Sequence, residues 1–123
     1  MVAAAQVLIV LISLEHFYIL VLEMFLWRTR ARRIFGMTAE QAEATAVLAK
    51  NQGLYNGFLA AGLLWSHASW HAGSADFFAR ANFFLVCVLI AGIYGAVTAN
   101  KRILFVQALP AAVALLVLWL SLR

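Results

Sequence analysis

The chain has 123 residues, of which 66% are hydrophobic and 11% charged, with a mean hydropathy of +0.94 and a net charge of +4. An ordinary globular chain is about 25% charged, and a soluble domain of this size buries only about two-thirds of its surface, so the apolar excess calls for lipid. One cysteine, Cys87, excludes a disulfide framework within the chain. The basic residues cluster between apolar runs instead of covering a soluble face, which excludes a nucleic-acid binder.

The length suits one membrane domain over residues 1–123. A membrane-crossing helix needs roughly 20 mostly apolar residues, and the pattern predicts four, an all-α polytopic bundle. The first covers about 2–27 and carries Glu15, His16 and Glu23 within it. A basic loop follows, Arg28 to Arg33. Thr38 with Gln41 three residues later has the form of a capping box, with Glu40 and Glu43 in the first turns. That opens a second helix over about 38–69, whose first turns are polar and stand clear of lipid.

A short polar turn, His71 to Asp76, leads to a third helix over about 75–99. Ser74 can cap it, Asp76 suits its positive end, and Arg80 lies one turn from Asp76. Asn100-Lys101-Arg102 links to a fourth helix over about 103–122, which Pro110 interrupts and kinks. Seven of the nine basic residues (Arg28, Arg30, Arg32, Arg33, Lys50, Lys101 and Arg102) fall on one side, and Arg80 and Arg123 on the other. The positive-inside rule then places both termini outside and the 28–43 segment in the cytoplasm.

Small residues recur at four-residue spacing: Gly53, Gly57 and Ala61 on the second helix, Ala91 and Gly95 on the third, Ala108 and Ala112 on the fourth. Such stripes let membrane helices approach closely. Packing within the chain is the expected use, and a homo-oligomer interface is the alternative.

Ionisable groups in a membrane helix cost about 2.5–3.5 kcal/mol each on insertion scales and usually have a task. His16 and Glu23 are seven residues apart, on one helix face and about 10 Å apart along the axis. Glu15 points about 100° away from His16. The second helix supplies Asn51, Gln52, Tyr55 and Asn56, of which Gln52 and Asn56 are stacked one turn apart. Tyr94, Thr98 and Gln107 fall at similar depths and complete a polar ligand pocket on the cytoplasmic side.

Carboxylates, an imidazole and amide oxygens suit a divalent metal, zinc or iron, held by Glu15, His16, Glu23, Asn56 and Gln52. A metal-activated water could then act on a lipid-like substrate. That is the leading expectation; the alternative is that the same groups relay protons in a small carrier working as an oligomer. His67 and His71, four apart, form a second metal candidate with Asp76, although Trp and His are also ordinary at a membrane interface. No Glu lies between those histidines, so they do not form the metalloprotease motif.

Three stretches in order, Glu15 to Trp27 (EHFYILVLEMFLW), Asn51 to Ala60 (NQGLYNGFLA) and Gly92 to Gly95 (GIYG) continuing through Gln107 to Pro110 (QALP), resemble the bacterial small membrane proteins grouped as domain-of-unknown-function family 1304. The resemblance covers nearly the whole chain. It implies a four-helix protein of the bacterial inner membrane and supplies no activity. A fainter likeness is to the four-helix membrane-associated eicosanoid and glutathione enzymes, but the second helix here lacks their Arg-rich signature.

Overall fold

The structure, a computed structural model, describes residues 1–71 and 74–122. It is all-α, with no strand among the described residues. The α-helices are α1 (Val2–Met24), α2 (Arg32–Ile34), α3 (Ala39–Ala68), α4 (Ala75–Thr98) and α5 (Leu109–Leu120). Two π-helical segments join them: π1 (Trp27–Ala31) precedes α2, and π2 (Leu104–Ala108) precedes α5. Residues 72 and 73 of the turn expected over His71 to Asp76, and Arg123, assigned to the outer side, lie outside the described residues.

The expected basic loop is instead helical. Leu26 N–H donates to the Val21 carbonyl at 3.2 Å and Ala31 N–H to the Leu26 carbonyl at 3.0 Å, each spanning five residues. The chain holds neither glycine nor proline from Met1 to Phe35, and apart from a turn at Phe25 and Leu26, where Leu26 takes φ −116° and ψ 17°, it stays helical up to Ile34, just before Gly36. The break there has a definite form. Gly36 takes φ +65°, its N–H reaches the Arg33 carbonyl, and Met37 N–H reaches the Arg32 carbonyl at 3.0 Å. This is the Schellman arrangement, and glycine meets its left-handed requirement.

The Thr38–Gln41 capping box forms in both directions. Gln41 N–H donates to Thr38 Oγ1 at 3.1 Å, and Thr38 N–H to Gln41 Oε1 at 2.9 Å. Ser74 caps α4 by accepting from Phe77 N–H at 3.2 Å. Arg80 pairs with Asp76 at 3.0 Å. Before α5 the backbone widens. Leu109 N–H reaches back five residues to the Leu104 carbonyl, and Pro110 falls in the first turn of α5. Proline has no N–H for the Val106 carbonyl and its ring would crowd that oxygen; a π turn relieves both.

The internal contacts group the chain into two compact units: Met1–Ser13 with Ala61–Arg123, and Leu14–Ala60. In the first, α4 buries Phe77, Ala81, Leu85, Val88 and Gly92, a single face at three- and four-residue spacing. Ala108, Ala111, Ala114, Leu115 and Leu118 are the buried residues of π2 and α5, and α4 packs against both. At Gly92 the backbones approach closely: a Cβ there would lie 2.6 Å from the Ala108 nitrogen. In the second unit, α3 buries Ala42, Ala46, Ala49 and Gly53, again one face. Cβ atoms on Gly53 and Gly57 would strike Met24 and Leu20 of α1 at 2.6 and 2.5 Å. The small-residue stripe on this part of α3 is therefore used for packing within the chain.

Two helices, α1 and α4, are long and apolar enough to cross a membrane by length and composition. Only 28% and 22% of their apolar spans are buried within the protein, whereas the core helix of a soluble protein is mostly buried. Their exposed residues include Val7, Leu11 and Phe17 on α1 and Phe83, Ile90 and Val97 on α4. The apolar stretch Leu104–Leu120 is shorter. α3 has the length, but its first half carries Glu40, Glu43 and Lys50, and its apolar half begins only near Gly53.

Candidate functional site

The second unit joins the late part of α1 to the part of α3 up to Ala60, and it holds a polar pair between these two helices. Asn56 Nδ2 donates to Glu23 Oε2 at 2.9 Å and also to the Gln52 carbonyl at 3.1 Å. Both side chains are half-buried. The second bond, to the carbonyl one turn earlier in its own helix, fixes the amide's orientation toward the carboxylate. Gly53 makes the pair attainable, since a Cβ there would stand 3.0 Å from Glu23 Cβ and 3.2 Å from the Leu20 carbonyl oxygen. Without a side chain at position 53 the two backbones close enough for an amide one turn on to reach across.

Of the other residues singled out on α1, His16 is wholly buried and Glu15 half-buried. His16 lies seven residues before Glu23, about 10 Å along the helix. Among the described residues no three His, Cys, Asp or Glu side chains come together as a metal-holding group. Gln52, Asn51 and Tyr55 are exposed, and Asn51 donates to the Val47 carbonyl of its own helix. In the first unit Tyr94 and Thr98 are exposed, and Thr98 donates to the Tyr94 carbonyl. Gln107 is half-buried on π2.

The second candidate group does not share a helix face. α3 ends at Ala68, so His67 occupies its last turn while His71 lies beyond it, exposed. A spacing of four places two side chains together only while the helix continues. Asp76 is bound to Arg80, whose guanidinium also donates to Ser69 Oγ and lies 4.3 Å from the centre of the Trp65 ring.

A polar platform at the π1 end of the second unit escaped the sequence reading. Arg28 makes a two-pronged bond to Glu43, with Nη2 to Oε1 at 3.0 Å, and Trp27 Nε1 donates to Thr45 Oγ1 at 3.0 Å. The hydrogen bond from Arg28, reinforced by its charge, holds the Glu43 carboxyl below the usual carboxylate range. The signal available was a basic run facing acidic first turns, but pairing it required knowing that residues 27–34 are helical.

The sequence matches the family described as protein of unknown function (DUF1304) over residues 10–119. The chain belongs to the DUF1304 family. It is also 35% identical over 118 residues to "Uncharacterized protein YpaA" of Lactococcus lactis subsp. lactis (strain IL1403), covering 89% of this chain and 92% of that one. No solved structure matches. In this DUF1304 chain the matched region takes in both Glu23 and Asn56.

Proposed function

We propose that the protein is a polytopic bacterial inner-membrane protein whose Glu23–Asn56 pair is an intramembrane proton-binding centre, serving a small carrier. The carboxylate held by an amide on a second helix, at 2.9 Å, is the observation that carries this reading. An ionisable residue in a membrane-spanning helix is costly, and its usual tasks are proton relay and substrate coupling.

Four crossings follow if α3 contributes its apolar half and π2 with α5 a fourth span. Gly53 to Ala68 and Leu104 to Leu120 extend about 24 and 25 Å, the short end of what a bilayer needs. α1, at about 34 Å, spans comfortably. Glu23 is one residue from the end of α1. Protons reach it from the aqueous side that carries Arg28 to Arg33, which the positive-inside rule makes the cytoplasm. His16 and Glu15, deeper along α1, are the next groups able to take a proton. The gap of about 10 Å from Glu23 to His16 exceeds direct transfer and calls for water or a bound solute between them.

The geometry favours this over a resident zinc or iron. A catalytic zinc takes three protein ligands, whereas Glu23 is joined here by one amide whose nitrogen already faces it. The test is reconstitution into vesicles with an entrapped pH dye. Under an imposed pH gradient, wild-type protein should pass protons faster than Glu23→Gln, which keeps the shape and the Asn56 contact. Equal rates in the two would refute the reading.

A further inference from the structure

The segment just past α1 carries more positive charge than the protein itself answers. Residues 25–50 hold five cations, Arg28, Arg30, Arg32, Arg33 and Lys50, against two carboxylates, Glu40 and Glu43. Arg28 is bound to Glu43, and Arg32 Nε donates to the Met37 carbonyl at 3.3 Å. Among the described residues, no carboxylate pairs with Arg30 or Arg33. Wholly buried Ala31 marks the inner face of this helical stretch. Arg30, Arg33 and Ile34, neighbours at three- and four-residue spacing, are exposed on the other side. The position of Arg30 shows what surroundings its charge meets. Its guanidinium lies 5.9 Å from the centre of the Tyr18 ring. Tyr18 is on α1, 44% exposed, about 9 Å before the end of that helix. The Arg30 side chain therefore reaches back along the outer wall of a helix suited to cross the membrane. Phe25, Ile34 and Phe35 are exposed at the same end. Arginine set among exposed aromatic and aliphatic side chains suits the headgroup layer of a bilayer.

We infer that Arg30 and Arg33 hold the phosphate of an anionic phospholipid, of the phosphatidylglycerol class, beside Tyr18 on the outer wall of α1. A guanidinium presents a fork of N–H donors that matches two phosphate oxygens. The Tyr18 ring under Arg30 steadies that side chain. Charge selects the headgroup. Phosphatidylcholine adds an ammonium to its phosphate and would bring a cation toward two unpaired cations, whereas a glycerol headgroup adds none. A cluster of arginines at the cytoplasmic end of a membrane helix attracts anionic lipid in any case; the unpaired state of these two and the reach of Arg30 to Tyr18 localise the attraction to one place. The inference rests on the membrane placement proposed above and not on proton binding at Glu23.

Native mass spectrometry of the whole chain, purified in detergent, stripped of lipid and offered equimolar phosphatidylglycerol and phosphatidylcholine with identical acyl chains, tests it. The first lipid retained should be phosphatidylglycerol, by about tenfold. Arg30→Gln/Arg33→Gln should bring the two lipids to within about twofold of each other. Lys101→Gln/Arg102→Gln removes the same charge from the same membrane side and should leave the preference intact. Either variant keeps five of the seven basic residues on that side, so the orientation is preserved. All these arginines and lysines except half-buried Arg32 are exposed, and circular dichroism should show both double variants folded. Glu23→Gln should not alter the preference, so failure of this site and failure of the proton-binding centre read out separately. Equal retention of the two lipids by the wild type, or an equal loss of preference in both double variants, would overturn the assignment.

Discussion

Gly92→Ala should be among the most damaging single-methyl changes in the chain. The added Cβ would lie 2.6 Å from the Ala108 nitrogen and 2.9 Å from both its Cα and its Cβ. Those atoms are backbone or fixed to it, so α4 and π2 must separate. Overpacking costs about 1–3 kcal/mol, and a contact with backbone belongs at the upper end. Replacing a helical glycine by alanine returns about 1 kcal/mol. The net expectation is a loss of about 2 kcal/mol, roughly a thirtyfold fall in the folded ratio. Gly95→Ala is the internal control. Its Cβ would meet only the Ile103 side chain, at 3.2 Å and beyond, and that side chain can give. It should be neutral or mildly stabilising. Unfolding in mixed micelles by increasing SDS, followed by circular dichroism, measures both. A Gly92→Ala variant as stable as wild type, or a Gly95→Ala variant equally harmed, would refute the close packing of α4 on π2.

Other consequences are open to direct measurement. Gly53→Ala places a Cβ 2.6 Å from Met24 Cγ and 3.0 Å from Glu23 Cβ, so it should lengthen the Glu23–Asn56 bond and reproduce most of the proton-flux loss of Glu23→Gln; full flux would count against Gly53 as the spacer. Thr38→Ala removes one half of the capping box and should cost about 1 kcal/mol, seen as faster hydrogen exchange in the first turn of α3. The Arg28–Glu43 pair should lend α3 extra protection at neutral pH. Because the Glu43 carboxyl is held below its ordinary range, that protection is present above the unfolded value and fades as pH falls through the folded one. Both side chains are largely exposed, so the effect should be small and vanish in high salt; exchange rates insensitive to pH would remove the pair from the account.

Much of the helical framework was legible because its signals are local. The capping box at Thr38 and Gln41, the Ser74 cap and the Asp76–Arg80 pair each depend on residues three or four apart, and each forms as read. The ends of α3 and α4 fall within a residue of expectation for the same reason. The basic stretch 28–33 misled because charge was taken for a loop, while a run of charged residues with no glycine or proline before Gly36 can remain helical. Pro110 marked a disturbance correctly, but its resolution by a π turn depends on where the Val106 carbonyl can go. Glu23 and Asn56 could each be picked out by the cost of a polar group among apolar ones. Their bond depends on how closely two helices approach, and Gly53 was the visible clue to that. The pairing of His67 with His71 failed at the helix end, where a periodicity argument no longer applies.

The most direct test of the central claim is infrared difference spectroscopy of the protein in nanodiscs through a pH titration. The account predicts a protonated-carboxyl band that disappears in Glu23→Gln and changes frequency in Asn56→Ala, because the Asn56 amide donates to that carboxylate. A band unaltered by both substitutions, or no titrating carboxyl lost with Glu23, would contradict it.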